Sequence, residues 1–348
     1  MKKACGPIAL LGSGETSLAG GRVFETIARR FPQPLRIAIL ETPAGFELNS
    51  ARVAGHVADF IQERLQNFNP HIDIVPARKR DTSFSPDNPQ ILQPLLQANI
   101  VFMGPGSPTY AVHQLKGSLA WDLVRARHRL GAALVFASAA VIAVGACSLP
   151  VYEIYKVGED VSLVLGLDLF ADVNLLLSII PHWNNTDGGD EVDTSRCFIG
   201  LERFNQWCKL LPSGHTTIGL DEHTGIILDF DTGKCTVSGV SSVTLLRSNN
   251  SEIFPAGAEF SISELGDYTM RENLKTGISD RALEMVKSAE RIERPEELPA
   301  ELVYLAEERQ QARLRQDWVT ADIFRQKMAL LGWLVKDTPE GQKIVRQP

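Results

Sequence analysis

The chain has 348 residues, 44% hydrophobic and 22% charged, with a net charge of -7. That length accommodates one large α/β domain plus an appendage, and the acidic balance offers no general attraction to nucleic acid or anionic lipid. The five scattered cysteines form no Cys-x-x-Cys pair, which excludes a short-spaced metal site and points to reduced thiols in a cytoplasm.

The opening MKKACGPIALLGSGE has an apolar core of only four residues, Ile8 to Leu11, before a glycine turn. It is too short for a signal peptide, and no other run approaches the length of a membrane span. It therefore reads as a first strand. A second strand follows in LRIAILETP, then a helix over residues 50–66 with Val53, Val57, Phe60, Ile61 and Leu65 on one side. HIDIVPA reads as a strand, PQILQPLLQ as a helix, and NIVFMGPGSP as a strand ending in a glycine-proline turn. Two further helices precede the strand Ala132–Phe136, and the alanine-rich run from Ala139 to Ala146 reads as a buried helix. Strands alternating with helices of this length predict a mostly parallel sheet with helices on both faces.

Beyond Leu149 the pattern changes. LLLSIIPHW reads as a buried strand ending at His182, and residues 216–239 alternate around turn signals as an antiparallel hairpin region. Residues 251–298 are mixed and polar and read as a linker. A long amphipathic helical pattern from Ala300 to Leu331 stops at Gly332, and the tail KDTPEGQKIVRQP is turn-like. No internal repeat is present. The expected division is an α/β domain over 1–250, a linker over 251–298 and a small α-helical domain over 299–348.

Ser138 sits at the junction of strand and helix in AALVFASAAVIAVGA. Such a serine is commonly an N-cap. It becomes a nucleophile when a sharp turn exposes its hydroxyl, a histidine removes its proton and backbone N–H groups receive the oxyanion. The small residues Ala137, Ala139 and Ala140 leave room for a tight elbow, and the Ala139 N–H lies where an oxyanion would form. FMGPGSPTYAVHQL adds a glycine loop in which the Gly106 N–H can serve as second donor. IIPHWNN places His182 at a strand end, where parallel sheets build their sites, and IGLDEHTG places Asp221 and Glu222 at another.

Taken in order, GPGSPTY, FASAAV, IPHW and LDEHTG resemble the motifs of the cyanophycinase and peptidase E family of serine peptidases, whose fold is similar to class I glutamine amidotransferases. The resemblance runs from about Gly6 to Leu246. It implies Ser138 as nucleophile, His182 as general base and an acid between them. Glu153, fifteen positions after Ser138, is the first choice, with Glu159 and Asp160 as alternatives. The acid would hold one imidazole tautomer. The resemblance also places Arg196, Asp221 and Glu222 at the substrate, a small aspartyl-type peptide, and implies a homodimer; no metal or organic cofactor is implied. Two departures stand out. Phe136 and Ala140 occupy elbow positions that are usually glycine, and an acidic loop with Asp187, Asp190, Glu191 and Asp193 separates His182 from Arg196.

Other candidates read as structural. His56, His113 and His128 fall on helices, His215 and His223 in turns, and LLGSGET lacks the lysine of a phosphate loop and the third glycine of a dinucleotide fingerprint.

The C-terminal stretch has a signature of its own. Arg309, Ala312, Arg313, Asp317, Trp318, Ala321, Asp322 and Arg325 recur at helical spacing, followed by Gly332 and KDTPEG. This is similar to the C-terminal end of bacterial cysteinyl-tRNA synthetases. The synthetase signatures His-x-Gly-His and Lys-Met-Ser-Lys-Ser are absent from the sequence. From Arg291 onward ten Lys/Arg balance ten Asp/Glu, so a tRNA contact through 299–348 would be weak. Arg313–Asp317 and Asp322 with Arg325 or Gln326 can instead be intrahelical pairs. The leading expectation is a cytoplasmic serine hydrolase with a helical tail. The alternative is a degenerate amidotransferase-like binding protein whose tail holds tRNA or protein.

Overall fold

The computed structural model describes residues 5–247, 250–269, 277–293, 299–338 and 341–346. The chain divides into two compact units, 1–289 and 290–348. The first unit opens as an alternating α/β series: β1 (Ile8–Leu11), α1 (Leu18–Ala28), β2 (Arg36–Leu40), α2 (Ser50–Arg64), β3 (His71–Val75), β4 (Ile100–Met103), α3 (Pro108–Leu115), α4 (Leu119–Arg129), β5 (Ala133–Ala137) and α5 (Ala139–Ala143). After it come β6 (Cys147–Ser148), β7 (Val164–Leu165), β8 (Leu177–Ile180), α6 (Gly200–Cys208), β9 (Thr216–Leu220), β10 (Thr224–Asp229), β11 (Lys234–Gly239), β12 (Ser242–Arg247), β13 (Asn250–Pro255), β14 (Glu259–Ser261) and α7 (Asp280–Glu293).

Among the described residues the main sheet has eight strands in the order β14-β11-β10-β1-β5-β4-β2-β3. The pairings from β1 through β5, β4 and β2 to β3 are parallel, whereas β10, β11 and β14 run antiparallel. The central strands are apolar on both sides because helices cover both faces. Alternate residues divide accordingly: Ile8, Leu10, Val101, Met103, Leu134 and Phe136 face one core, and Ala9, Leu11, Ile100, Phe102, Val135 and Ala137 face the other, against α1 and α2. A second sheet, β13-β12-β9-β8, pairs β8 and β9 in parallel.

Several elements differ from the sequence reading. PQILQPLLQ forms only a 3-10 turn at Gln93–Leu96, because Pro94 lacks the N–H a longer helix needs. The α5 helix ends at Ala143, short of Ala146. α1 has little sequence signal because its first turn reads Leu-Ala-Gly-Gly; Ser17 caps it by accepting from the Gly20 N–H. The expected linker is largely folded: β13 pairs with β12, β14 pairs with β11, and α7 buries Ala282, Leu283 and Val286 in the main core. Part of its sequence (270–276 and 294–298) lies outside the described residues.

The second unit contains α8 (Ala300–Leu314), α9 (Trp318–Leu330), β15 (Trp333–Thr338) and β16 (Gly341–Arg346). Leu302, Leu305, Ala306, Met328 and Trp333 form its core. The turn-like tail is an antiparallel hairpin instead, since Trp333, Val335 and Ile344 give its strands an apolar face. Arg309 is held by both carboxylate oxygens of Asp337 and by Gln342, and Arg313 reaches the same carboxylate. The intrahelical Arg313–Asp317 pair therefore does not form. Asp317 caps α9 through the Thr320 N–H, whereas Asp322 does pair with Arg325.

Candidate active site

The end of β1 gathers the site. The Leu11 carbonyl accepts the Ser138 N–H at 3.2 Å and the Gly12 carbonyl accepts the His182 N–H at 3.3 Å. Position 12 tolerates no side chain, since a Cβ there would lie 2.3 Å from the Asp221 carbonyl oxygen. The glycine turn after β1 thus draws the ends of β5, β8 and β9 together. Ser13 Oγ also accepts the His223 N–H.

Ser138 takes φ 52°, ψ -122° directly after β5, and its side chain caps nothing. A positive φ costs a non-glycine residue of order 1–3 kcal/mol and persists where the surroundings over-determine it. Its Oγ lies 3.1 Å from His182 Nε2. Phe136 does not cover it: the ring is fully buried in the sheet core with Leu10 and Met103 as register neighbours, and Ala140 is buried in α5. The N-cap reading of Ser138 is set aside by this geometry.

His182 Nδ1 lies 3.0 Å from Glu222 Oε1. The carboxylate that meets the histidine is thus Glu222 and not the expected Glu153. Glu153 accepts instead from the Thr109 hydroxyl at 2.6 Å, and Glu159 and Asp160 are exposed beyond it. Glu222 is held from both ends of the Asn-Asn pair that follows Trp183. Asn185 Nδ2 donates to the same Oε1 at 3.0 Å, and the Glu222 N–H donates to Asn184 Oδ1 at 2.8 Å. Burial pushes the Glu222 carboxyl up, but the hydrogen bonds from Asn185 and His182 outweigh it and hold the group below its ordinary range. Neither asparagine was singled out from sequence.

The acidic loop ends in three consecutive left-handed residues, Arg196, Cys197 and Phe198, at φ 58°, 60° and 69°. Left-handed backbone costs L-residues about 1–2 kcal/mol each, so this turn is maintained by its contacts. The N–H groups of Arg196 and Cys197 donate to the carbonyls of Trp183 and His182 at 3.0 and 3.1 Å. The Phe198 ring packs 5.4 Å from the imidazole. Arg196 stacks 3.8 Å above the Trp183 ring and donates to its carbonyl. The residue that the resemblance places at the substrate thus braces the turn in this structure.

Asp221 is also corrected. It is buried and accepts from both hydroxyls of Ser241 and Ser242 and from the Ser242 N–H. Glu222, grouped with it as a substrate contact, is the histidine's partner. Gly106 lies in the loop joining β4 to α3 at φ 142°, where a Cβ would sit 2.0 Å from the Pro43 carbonyl oxygen. Ala139 begins α5, so its N–H has no acceptor within the helix. Among the described residues no group of three or more His, Cys, Asp or Glu side chains is gathered as metal ligands would be.

No family model matches the chain. A solved structure of a peptidase from an acI-B1 Actinobacterium aligns at TM-score 0.60 and 19% identity, covering 75% of this chain and 98% of that one. The two share a fold. Separately, 49 residues, 14% of this chain, are 53% identical to the cysteine–tRNA ligase of Methanosarcina mazei. A similar span is 41% identical to the ligase of Chlamydia felis. The chain spans 10% of the length of these ligases. The matching part is their C-terminal region. No described helix is long and apolar enough to cross a membrane.

Proposed function

We propose that the protein is a serine hydrolase that cleaves a peptide, isopeptide or related amide bond. The carrying observation is the continuous chain from Ser138 Oγ through His182 to Glu222, at 3.1 and 3.0 Å. In this reading Ser138 Oγ attacks the carbonyl carbon while His182 Nε2 takes the hydroxyl proton. Glu222 fixes the Nδ1–H tautomer and stabilises the imidazolium. The N–H groups of Ala139 and Gly106 receive the oxyanion. The tetrahedral adduct collapses as the imidazolium gives its proton to the leaving amine, and water, activated by the same imidazole, then releases the acid product and frees Ser138.

An aspartyl substrate would need a cation in the pocket, and Arg196 is committed to Trp183. The acyl-transfer chemistry is therefore proposed without that side-chain preference. A tRNA contact by the tail gains no support from Arg309 and Arg313, both of which are held by Asp337. The test is a fluorophosphonate probe. It labels the wild type and not Ser138→Ala; equal labelling of both, or none in either, overturns the reading.

A further inference from the structure

The two oxyanion donors come from different segments, so their separation has to be held by the fold. Ala139 opens α5 directly after Ser138, whereas Gly106 lies in the loop between β4 and α3. β4 and β5 are parallel neighbours with Met103 opposite Phe136. The chain leaving β4 at Gly104 therefore runs beside the chain that turns at Ser138. One side of this loop is fixed by backbone. The Ser107 N–H donates to the Pro43 carbonyl at 2.9 Å, and Pro43 fills the space where a Gly106 Cβ would lie.

The other side is fixed by a row of side chains that no step of the acyl transfer uses. Thr109 Oγ1 donates to Glu153 Oε1 at 2.6 Å. A hydroxyl has one proton, so in the 3.0 Å contact between Ser107 and Thr109 the donor is Ser107 Oγ. Ser107 Oγ in turn accepts from the Tyr110 N–H at 3.2 Å and caps α3. All the protons thus point one way, from the Tyr110 amide through two hydroxyls to the carboxylate. Hydroxyls in such a row polarise one another, and an ionised acceptor at its end makes the strongest bond. Glu153 opens the turn Glu153–Val157 downstream of α5. The row therefore ties the residue after Gly106 to the segment that follows the nucleophile's own helix.

Glu153 Oε2 is buried without a hydrogen-bond partner, which costs stability. The fold alone does not need this carboxylate, because the half-buried Thr109 hydroxyl could be met by any neutral acceptor or by water. A buried group left partly unsatisfied calls for a functional reason. We propose that Glu153 and Thr109 are positioning residues, which act through Ser107 to hold the Gly106 N–H at the separation from the Ala139 N–H that an oxyanion requires. This deepens the serine-hydrolase reading and rests on it.

The experiment is fluorophosphonate labelling of the full chain, resolved into limiting rate and half-saturating concentration across a pH series. Thr109→Val and Glu153→Ala each lower the limiting rate about ten- to a hundredfold, no more than outright loss of an oxyanion donor costs. The half-saturating concentration changes less than about twofold. The acid limb keeps its pH, because Ser138, His182 and Glu222 are untouched. The double variant is within about twofold of the slower single variant, since both substitutions break one row. Thr109→Ser keeps the hydroxyl and stays within about threefold of the wild type. An undiminished limiting rate in folded Thr109→Val, losses that multiply in the double variant, or an acid limb that moves overturns the proposal. If the wild type is not labelled at all, the nucleophile reading fails on its own. Amide exchange over residues 104–110 then decides whether the row holds the loop. Exchange that is about tenfold or more faster in Glu153→Ala and Thr109→Val supports it, and unchanged exchange overturns it.

Discussion

Asn185→Ala is the sharpest probe of how the candidate site is held. Asn185 is 2% exposed, and its Nδ2 donates at 3.0 Å to the same Glu222 oxygen that meets His182. A hydrogen bond to a charged group contributes about 1.5–3 kcal/mol. Loss of this donor therefore raises the Glu222 carboxyl, because burial is then opposed by one hydrogen bond fewer. It also leaves more negative charge facing the imidazole. Both effects strengthen the attraction of the Glu222 carboxylate for a proton shared with the imidazole. The acid limb of the fluorophosphonate labelling rate, read from about pH 4 to 9, accordingly moves upward in Asn185→Ala. It moves further in Asn185→Asp, where a second carboxylate faces the first. A limb that stays in place or moves down in a folded variant, with Ser138 still labelled, would refute the claim that Asn185 acts through Glu222.

Other outcomes follow from the same geometry. Glu222→Gln lowers the labelling rate by about 10³- to 10⁴-fold, whereas Glu159→Gln, at an exposed position, changes it less than about twofold. Gly106→Ala destabilises by at least about 1 kcal/mol in chemical denaturation, since φ is 142° and the added Cβ meets Pro43. His128 and His215 are both held near pKa 4 by burial. The folded state therefore binds fewer protons than the unfolded chain between about pH 4 and 6.5. Stability is full above that window and falls by up to about 3 kcal/mol per histidine as pH drops through it. Urea denaturation at about pH 7.5 and about pH 4.5 reads this loss, and His215→Phe reduces it. In the second unit, Arg309→Met removes the contacts to Asp337 and Gln342 and speeds amide exchange in α8 by about tenfold or more.

Much of the fold was legible because its strands obey a simple rule. A parallel strand covered on both faces is a short continuous apolar run, and ALVFA, IVFM and IALL are such runs. What failed was local chemistry under tertiary control. Two glycines hid α1, whose packing against the sheet outweighs their cost. The polar surface of residues 251–298 hid β13, β14 and α7, because edge strands and outer helices bury only alternate or one-sided positions. The tail hairpin was hidden by a turn-rich sequence in which only Trp333, Val335 and Ile344 pack against the unit's core while Leu334 is exposed.

The pairing of Ser138 with His182 was legible in the sequence, whereas the carboxylate that meets the histidine was not. Ser138 directly follows β5 and His182 follows β8 with Pro181 between, and these strands belong to different sheets. The carbonyls of Leu11 and Gly12 at the end of β1 nevertheless accept both N–H groups and bring the two side chains together. The acid has no such constraint. Glu153 follows the nucleophile in a segment whose course depends on packing, and it reaches Thr109. Glu222 comes from the turn between β9 and β10, the point where the chain leaves the second sheet for the antiparallel half of the first. The close approach of Gly12 to Asp221, the Ser13 hydroxyl under the His223 N–H and the two asparagines after Trp183 carry that turn to the imidazole. None of these contacts is signalled near Glu222 in the sequence, and a side chain at position 12, which would meet the Asp221 carbonyl, would push Glu222 away from His182 while leaving every polar group of the site intact.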